Sequence, residues 1–140
     1  MKEKELYKVK IESFDRNGYG VAHIDSKIVF VIGAVKDEEV LCEIVNVHKK
    51  YAFAKIKEIL KESSLRVEPE CPYYKYCGGC DMMHVSYETE CEIKTKRVTQ
   101  TLRGLDYELL PIIKCDKEYG YRNKIPSSSS LQKGTITLLR

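Results

Sequence analysis

FDRNGYGVAHIDSKIVFVIGAVKDEEV, residues 14–40, is the stretch that decides the fold. Asn17-Gly18 is a turn signal, and Gly18-Tyr19-Gly20 leads into a short apolar run at 21–24. Asp25-Ser26-Lys27 turns the chain again, and a second run at 28–32 is closed by Gly33. Upstream, Tyr7, Val9 and Ile11 alternate with Lys8, Lys10 and Glu12, the period of a half-buried strand. Downstream, residues 40–47 and 51–59 read as two more strands joined across His48-Lys49-Lys50. About five short strands in so small a span predict a mainly β, closed barrel of the oligonucleotide-binding type. Closure removes the sheet edges that so small a sheet would otherwise expose.

The last of these strands carries a functional hint. With Ala52, Ala54 and Ile56 facing inward, Tyr51, Phe53, Lys55 and Lys57 share the outer face, next to Lys49 and Lys50. Aromatics interleaved with lysines can stack bases and meet phosphates, so these six are candidate RNA-binding residues. The competing reading is that Phe53 caps the barrel core and the lysines are merely solvated.

Composition narrows the classes. A chain of 140 residues holds one ordinary domain or two small ones. A net charge of +3 is too small for bulk attraction to nucleic acid, so any such binding must come from local clusters. The start, MKEKEL, has no apolar signal region, and no apolar run reaches membrane-spanning length. The expected compartment is the reducing cytoplasm, where clustered cysteines more often bind metal than pair as disulfides.

Residues 61–70 are polar and read as a linker. Then comes CPYYKYCGGCDMMH, residues 71–84, with Cys71, Cys77 and Cys80 at the spacing C-x5-C-x2-C. Gly78 and Gly79 allow a tight turn that aims two sulfurs at one point. The spacing leaves two metal readings open: an iron–sulfur cluster with a distant fourth cysteine, or zinc on the three cysteines plus His84. Cys42 alternates with Val40 and Ile44 as a core residue would, Cys91 falls on an apolar helix face, and Cys115 has no visible role.

Residues 86–103 predict a helix, with Ser86 as N-cap, Tyr87, Cys91, Val98 and Leu102 on one face, and Gly104 at the C-terminal cap. Lys94, Lys96 and Arg97 give it a basic patch. Residues 109–113 and 134–139 read as strands, and Tyr121-Arg122-Asn123-Lys124 is a basic and aromatic cluster that adds Arg122 and Lys124 to the RNA-binding candidates. The expected organisation is a barrel at 1–60, a cysteine-rich metal-binding segment with one helix at 61–104, and an incomplete α+β domain at 105–140.

With these motifs in place, the sequence resembles the N-terminal part of the bacterial iron–sulfur RNA uracil-5-methyltransferases that act on 23S ribosomal RNA. Residues 14–40 followed by KKYAFAKIKEIL (49–60) are similar to that family's TRAM barrel, an RNA-binding module. RVEPECPYYKYCGGCDMMHVSYE (66–88), with K-x-K-R-V at 94–98, looks like its cluster segment, and YGYRNK (119–124) like the start of its central domain. The resemblance implies a [4Fe–4S] cluster on Cys71, Cys77 and Cys80 and ribosomal RNA as partner; the protein is expected to be a monomer. It also implies use of S-adenosylmethionine in a further, C-terminal domain. The chain departs from the family pattern at Met83, where glutamine is usual, and at IPSSSS (125–130). The usual fourth ligand is a cysteine well after YRNK, and here no cysteine follows Cys115. The family's nucleophilic cysteine and carboxylate base match no residue of this chain, so it is expected to transfer no methyl group alone. The alternative is a free-standing RNA-binding protein with a structural Cys3His zinc site.

Overall fold

The computed structural model describes residues 1–77 and 79–120, and the backbone of 129–132 and 135–138. Gly78, Arg122 and Lys124 lie outside the described residues, and so does the 121–124 cluster.

The strands are β1 (Leu6–Lys10), β2 (Ser13–Phe14), β3 (Gly20–Ile24), β4 (Lys27–Ile32), β5 (Glu39–Val47) and β6 (Tyr51–Lys61). They form one sheet in the order β1-β5-β6-β4-β3-β2, with β4 and β6 parallel and every other pair antiparallel. The outermost strands β1 and β2 are consecutive in the chain. Between them Ile11 N donates to Glu38 O at 2.8 Å and Glu12 N to Val21 O at 2.8 Å. One bent strand therefore joins both edges, and the sheet closes into the expected barrel. Register shifts along β5 supply the curl that closure needs.

Period-two alternation fills the inside. Val9, Ile11, Val29, Val31, Val40, Cys42 and Ile44 are buried, each Val or Ile contributing about 1.5–3 kcal/mol. Ala52 and Ala54 keep β6 thin where β4 and β5 both press on it. Gly20 is required by packing, since a Cβ there would stand 2.8 Å from the Ile11 side chain and 2.9 Å from Ala34. The turn before it is built by Asp15, whose carboxylate accepts from Asn17 N and Tyr19 N, both at 2.8 Å, while Gly18 supplies a φ of +85°.

The expected linker at 61–70 is instead a docked strap. Arg66 reaches the fully buried Glu38: its Nη2 donates to Glu38 Oε2 at 2.9 Å and to Gly33 O at 2.8 Å, and its Nε to Glu38 Oε1. Glu38 Oε2 also accepts from Val35 N at 2.8 Å. The strap then pairs with the chain that follows the cysteines. Arg66 and Val85 form an antiparallel bridge, with Val67 N donating to His84 O and Ser86 N to Leu65 O. A second apolar cluster, Phe14, Val35, Val85 and Ile93 with Leu65 and Met82, seals this layer against the barrel.

Two helices replace the one expected. α1 is a single turn, Tyr74–Cys77, inside the cysteine segment. α2 is Tyr87–Thr101, with Ser86 accepting from Thr89 N as N-cap and Gly104 at φ +89° beyond its end. Its buried residues are Thr89, Cys91 and Ile93, whereas Val98 is exposed. The buried residues all lie in the first two turns, so the apolar face read from the sequence is buried in its first half and exposed at Val98. Residues 105–120 form no helix or strand, and the strand expected at 109–113 is not formed among the described residues. A strand needs a partner for its backbone groups, and none is described beside it. Ser129–Gln132 (β7) and Thr135–Leu138 (β8) pair as an antiparallel hairpin.

Candidate nucleic-acid interface and cysteine loop

Alternation puts Val29, Val31, Ala52 and Ala54 inside, so Phe30 on β4 and Tyr51 and Phe53 on β6 must point out. The parallel pairing sets Phe30 directly opposite Phe53. Their ring centroids are 5.5 Å apart, with Tyr51 5.7 Å from Phe53 and 6.0 Å from Phe30. His48 stacks on Tyr51 at 4.5 Å, and Tyr19 meets the edge of Phe53 at 6.4 Å. Five rings thus form a continuous platform on the outside of the barrel. Phe53 belongs to this outer face rather than to the core.

Charge at the rim is less uniform than the sequence implied. Lys55 and Lys57 both bind Glu43, at 3.0 and 2.8 Å. Hydrogen bonds from Lys57 and then Lys55 hold the Glu43 carboxyl below its ordinary pKa. Lys49 and Lys50 are exposed in the β5–β6 turn and pair with no described carboxylate. The Lys27 ammonium donates to His48 O at 3.3 Å and braces that turn. On α2, Lys94 pairs with Glu90 and Lys96 donates to Phe14 O, and all three expected basic groups, Arg97 included, are exposed.

The cysteine segment is a loop whose two ends meet at the Arg66–Val85 bridge. A second tie crosses it: Tyr74 Oη donates to Asp81 O at 3.0 Å and bonds His84 Nδ1. His84 is buried, and its Nε2 has no partner among the described residues. Burial first, then the Arg66 guanidinium, push its pKa down to about 4.

Cys71, Cys77 and Cys80 are free thiols on this loop, none of them packed as core. The donor set is of the type that suits a soft metal centre, and a Cβ on Gly79 would stand 3.3 Å from Cys77 Sγ, in the space beside that sulfur. The expected convergence is not present, however. Among the described residues no three His, Cys, Asp or Glu side chains stand close enough to hold a metal ion. Cys77 ends the single turn of α1, whereas Cys71 lies before that turn, its carbonyl accepting from Tyr74 N. His84 faces Tyr74, and the Cys3His zinc set is not assembled either. Cys80 and Cys115 line one cavity of about 650 Å³, walled also by Arg16, Tyr87, Arg97 and Tyr119.

Comparison with known proteins adds to this geometry. The TRAM domain family matches residues 2–57, the whole barrel short of the end of β6. The barrel is a TRAM domain.

Beyond the TRAM barrel, the similarity continues. Over 99% of its length the chain is 33% identical to an RNA methyltransferase of Clostridium tetani, of which it covers 31%. Over 93% of its length it is 37% identical to the 23S rRNA (uracil(1939)-C(5))-methyltransferase of Vibrio parahaemolyticus, covering 30% of that protein. The tRNA (uracil-54, C5)-methyltransferase of Pyrococcus abyssi, solved with S-adenosyl-L-homocysteine, shares its fold over 74% of this chain and 23% of its own. The TM-score is 0.50 and the identity 23%. The chain therefore spans about a third of the length of the RNA methyltransferases it matches, and the kinship expected from its motifs is borne out.

Of the residues singled out in the sequence, Tyr51 and Phe53 stand together on the platform, with Lys49 and Lys50 at its rim. Lys55 and Lys57 are tied to Glu43. Tyr19, Phe30 and His48 were missed. Phe30 could have been found from the alternation in β4, but its place beside Phe53 follows from a pairing across 23 residues that no local pattern carries.

Proposed function

We propose that this chain is the RNA-recognition part of an S-adenosylmethionine-dependent RNA uracil-5-methyltransferase acting on ribosomal RNA in the cytoplasm, and that it is monomeric. The observation that carries the reading is the five-ring platform on the outer face of the TRAM barrel. Unpaired bases stack on Phe30, Tyr51 and Phe53, the His48 and Tyr19 rings bound the platform, and Lys49 and Lys50 neutralise the adjoining phosphates. Lys55 and Lys57 share Glu43 and so add less charge than their number implies. In this reading the chain binds and orients the strand. The methyl donor and the ring chemistry belong to the larger part of the fold that the relatives carry.

The same reading gives Cys71, Cys77 and Cys80 to a [4Fe–4S] cluster. Support comes from the donor type, the loop closed at its base and the room that Gly79 leaves beside Cys77 Sγ. A bound cluster would supply iron–thiolate bonds that fix the loop's shape.

Fluorescence anisotropy with a labelled single-stranded RNA tests the interface. Tyr51→Ala and Phe30→Ala should each weaken binding by about 1–3 kcal/mol while leaving the circular dichroism of the barrel unchanged. Replacing both Lys49 and Lys50 with Gln should flatten the salt dependence by about 0.7 log units per lost phosphate contact. Unchanged RNA affinity in the folded aromatic variants would refute the platform.

A further inference from the structure

Residues 105–113, LDYELLPII, are mostly apolar and exposed. Leu110 is 70% exposed and Ile113 96%, and Leu105, Tyr107, Leu109 and Ile112 are exposed as well. A folded protein rarely leaves so contiguous an apolar run in water. The backbone is equally unspent. Apart from the turn bond from Leu105 N to Leu102 O, no backbone group of 105–114 bonds another described backbone group.

The segment is nonetheless held. Leu102, at the C-terminal end of α2, anchors its start. Its far end returns to the beginning of α2, where Cys115 N donates to Tyr87 Oη at 2.7 Å and Lys114 pairs with Glu88 at 3.7 Å. It thus spans the length of a 15-residue helix, about 21 Å, with ten residues whose extended reach is about 33 Å. An apolar ribbon fixed at both ends, with free N–H and C=O groups, has the form of a strand awaiting a sheet. Pro111 makes the ribbon one-sided. It removes a donor on the edge shared with 109 and 113, whereas the edge of 108, 110 and 112 keeps every N–H.

We propose that residues 105–113 add as an edge strand to the part of the RNA methyltransferase fold that this chain does not cover, pairing through the backbone of Leu110 and Ile112. The occupant follows from the similarity. The chain matches the Clostridium tetani methyltransferase along 99% of its own length and only 31% of that protein's. In that relative the counterpart of this ribbon lies in one polypeptide with the uncovered remainder. Asp106 and Glu108 are the only charges in the ribbon, so the receiving edge should be apolar with a basic border. The proposal rests on the reading of the chain as part of such an enzyme.

Hydrogen exchange followed by mass spectrometry tests it on three proteins: this chain, this chain joined to the uncovered portion of the Clostridium tetani relative, and that relative at full length. The amides of 110 and 112 should exchange freely in the chain alone. They, or their counterparts, should be slowed at least a hundredfold in the longer proteins. Leu110→Pro should abolish that protection without changing the RNA affinity of the chain alone, so loss of docking and loss of RNA binding are read separately. Where the joined protein does not fold, the full-length relative decides. Free exchange of the segment in the folded longer proteins would overturn the proposal. So would protection that appears in the chain alone as its concentration rises, which would make a second copy the occupant.

Discussion

The barrel and the cysteine loop are both closed structures, and they are closed by different forces. The barrel closes on an apolar interior in which alternate residues of every strand meet, and a bent strand carries the sheet from one edge to the other. The loop packs Leu65, Met82 and Val85 against the barrel and adds a few polar contacts: the Arg66–Val85 bridge, the Arg66–Glu38 ion pair and the Tyr74–His84 bond. A closure spread over many small apolar contacts tolerates the loss of any one, whereas a closure made by a few buried polar groups does not. The same contrast shows in the cysteines. Cys42 is fully buried and desolvation raises its thiol pKa to about 11, as befits packing material. Cys77 and Cys80 lie on the loop as free thiols, outside the core.

The ion pair that joins the two regions should be the most sensitive point. Glu38 is fully buried and accepts from Arg66 and from Val35 N. Glu38→Ala would leave the guanidinium without its counter-charge and an amide without its acceptor. Breaking such a pair costs about 3–5 kcal/mol, and urea denaturation should show a loss of that order. A loss below about 1 kcal/mol would mean that the strap contributes little to the fold.

The second test is pH. An unfolded chain takes up a proton on His84 near pH 6.5, whereas in the native protein burial and Arg66 delay protonation to about pH 4. The native state therefore binds fewer protons in this window. The His84 contribution is complete above pH 6.5 and is lost as pH falls toward 4, by about 3 kcal/mol in all. His84→Leu removes this group, so its stability should fall less steeply than that of the parent between pH 6.5 and 4. Parallel curves would show that the native His84 takes up its proton as readily as the unfolded one.

This contrast also explains what could be read in advance. Alternation in residues 51–56 and the turn at Asn17-Gly18 act locally, and the barrel and the outward Tyr51 and Phe53 followed from them, as the Ser86 cap followed from the helical pattern after it. The strap did not. Arg66 looks like an ordinary polar residue until Glu38, 28 positions upstream, is seen beneath it. Phe30 was hidden for the same reason, its partner being set by a parallel pairing across the barrel. Residues 109–113 have the pattern of a strand but no described partner, so pattern and structure part where a nonlocal contact is missing. Spacing made the three loop cysteines candidate metal ligands, and spacing does not state how the side chains are turned.

The smallest expected effect separates the two kinds of cysteine. Cys42→Ser puts a hydroxyl among Val40, Ile44 and their neighbours, where a buried polar group without a partner costs about 1–3 kcal/mol. Cys77→Ser changes a loop side chain that packs against no core, so without iron its effect should stay within about 0.5 kcal/mol. Anaerobic reconstitution with iron and sulfide should reverse the order. The parent and Cys42→Ser should both develop the broad brown absorbance of a [4Fe–4S] cluster, and Cys77→Ser should not. Cluster formation should also raise the parent's melting temperature, because a group held only by the folded loop stabilises it by mass action, and Cys77→Ser should show no such rise. If Cys77→Ser takes up iron and sulfide as the parent does, the loop sulfurs are not ligands. The cysteine segment would then owe its shape to the Arg66, Tyr74 and His84 contacts and to the packing of Leu65, Met82 and Val85.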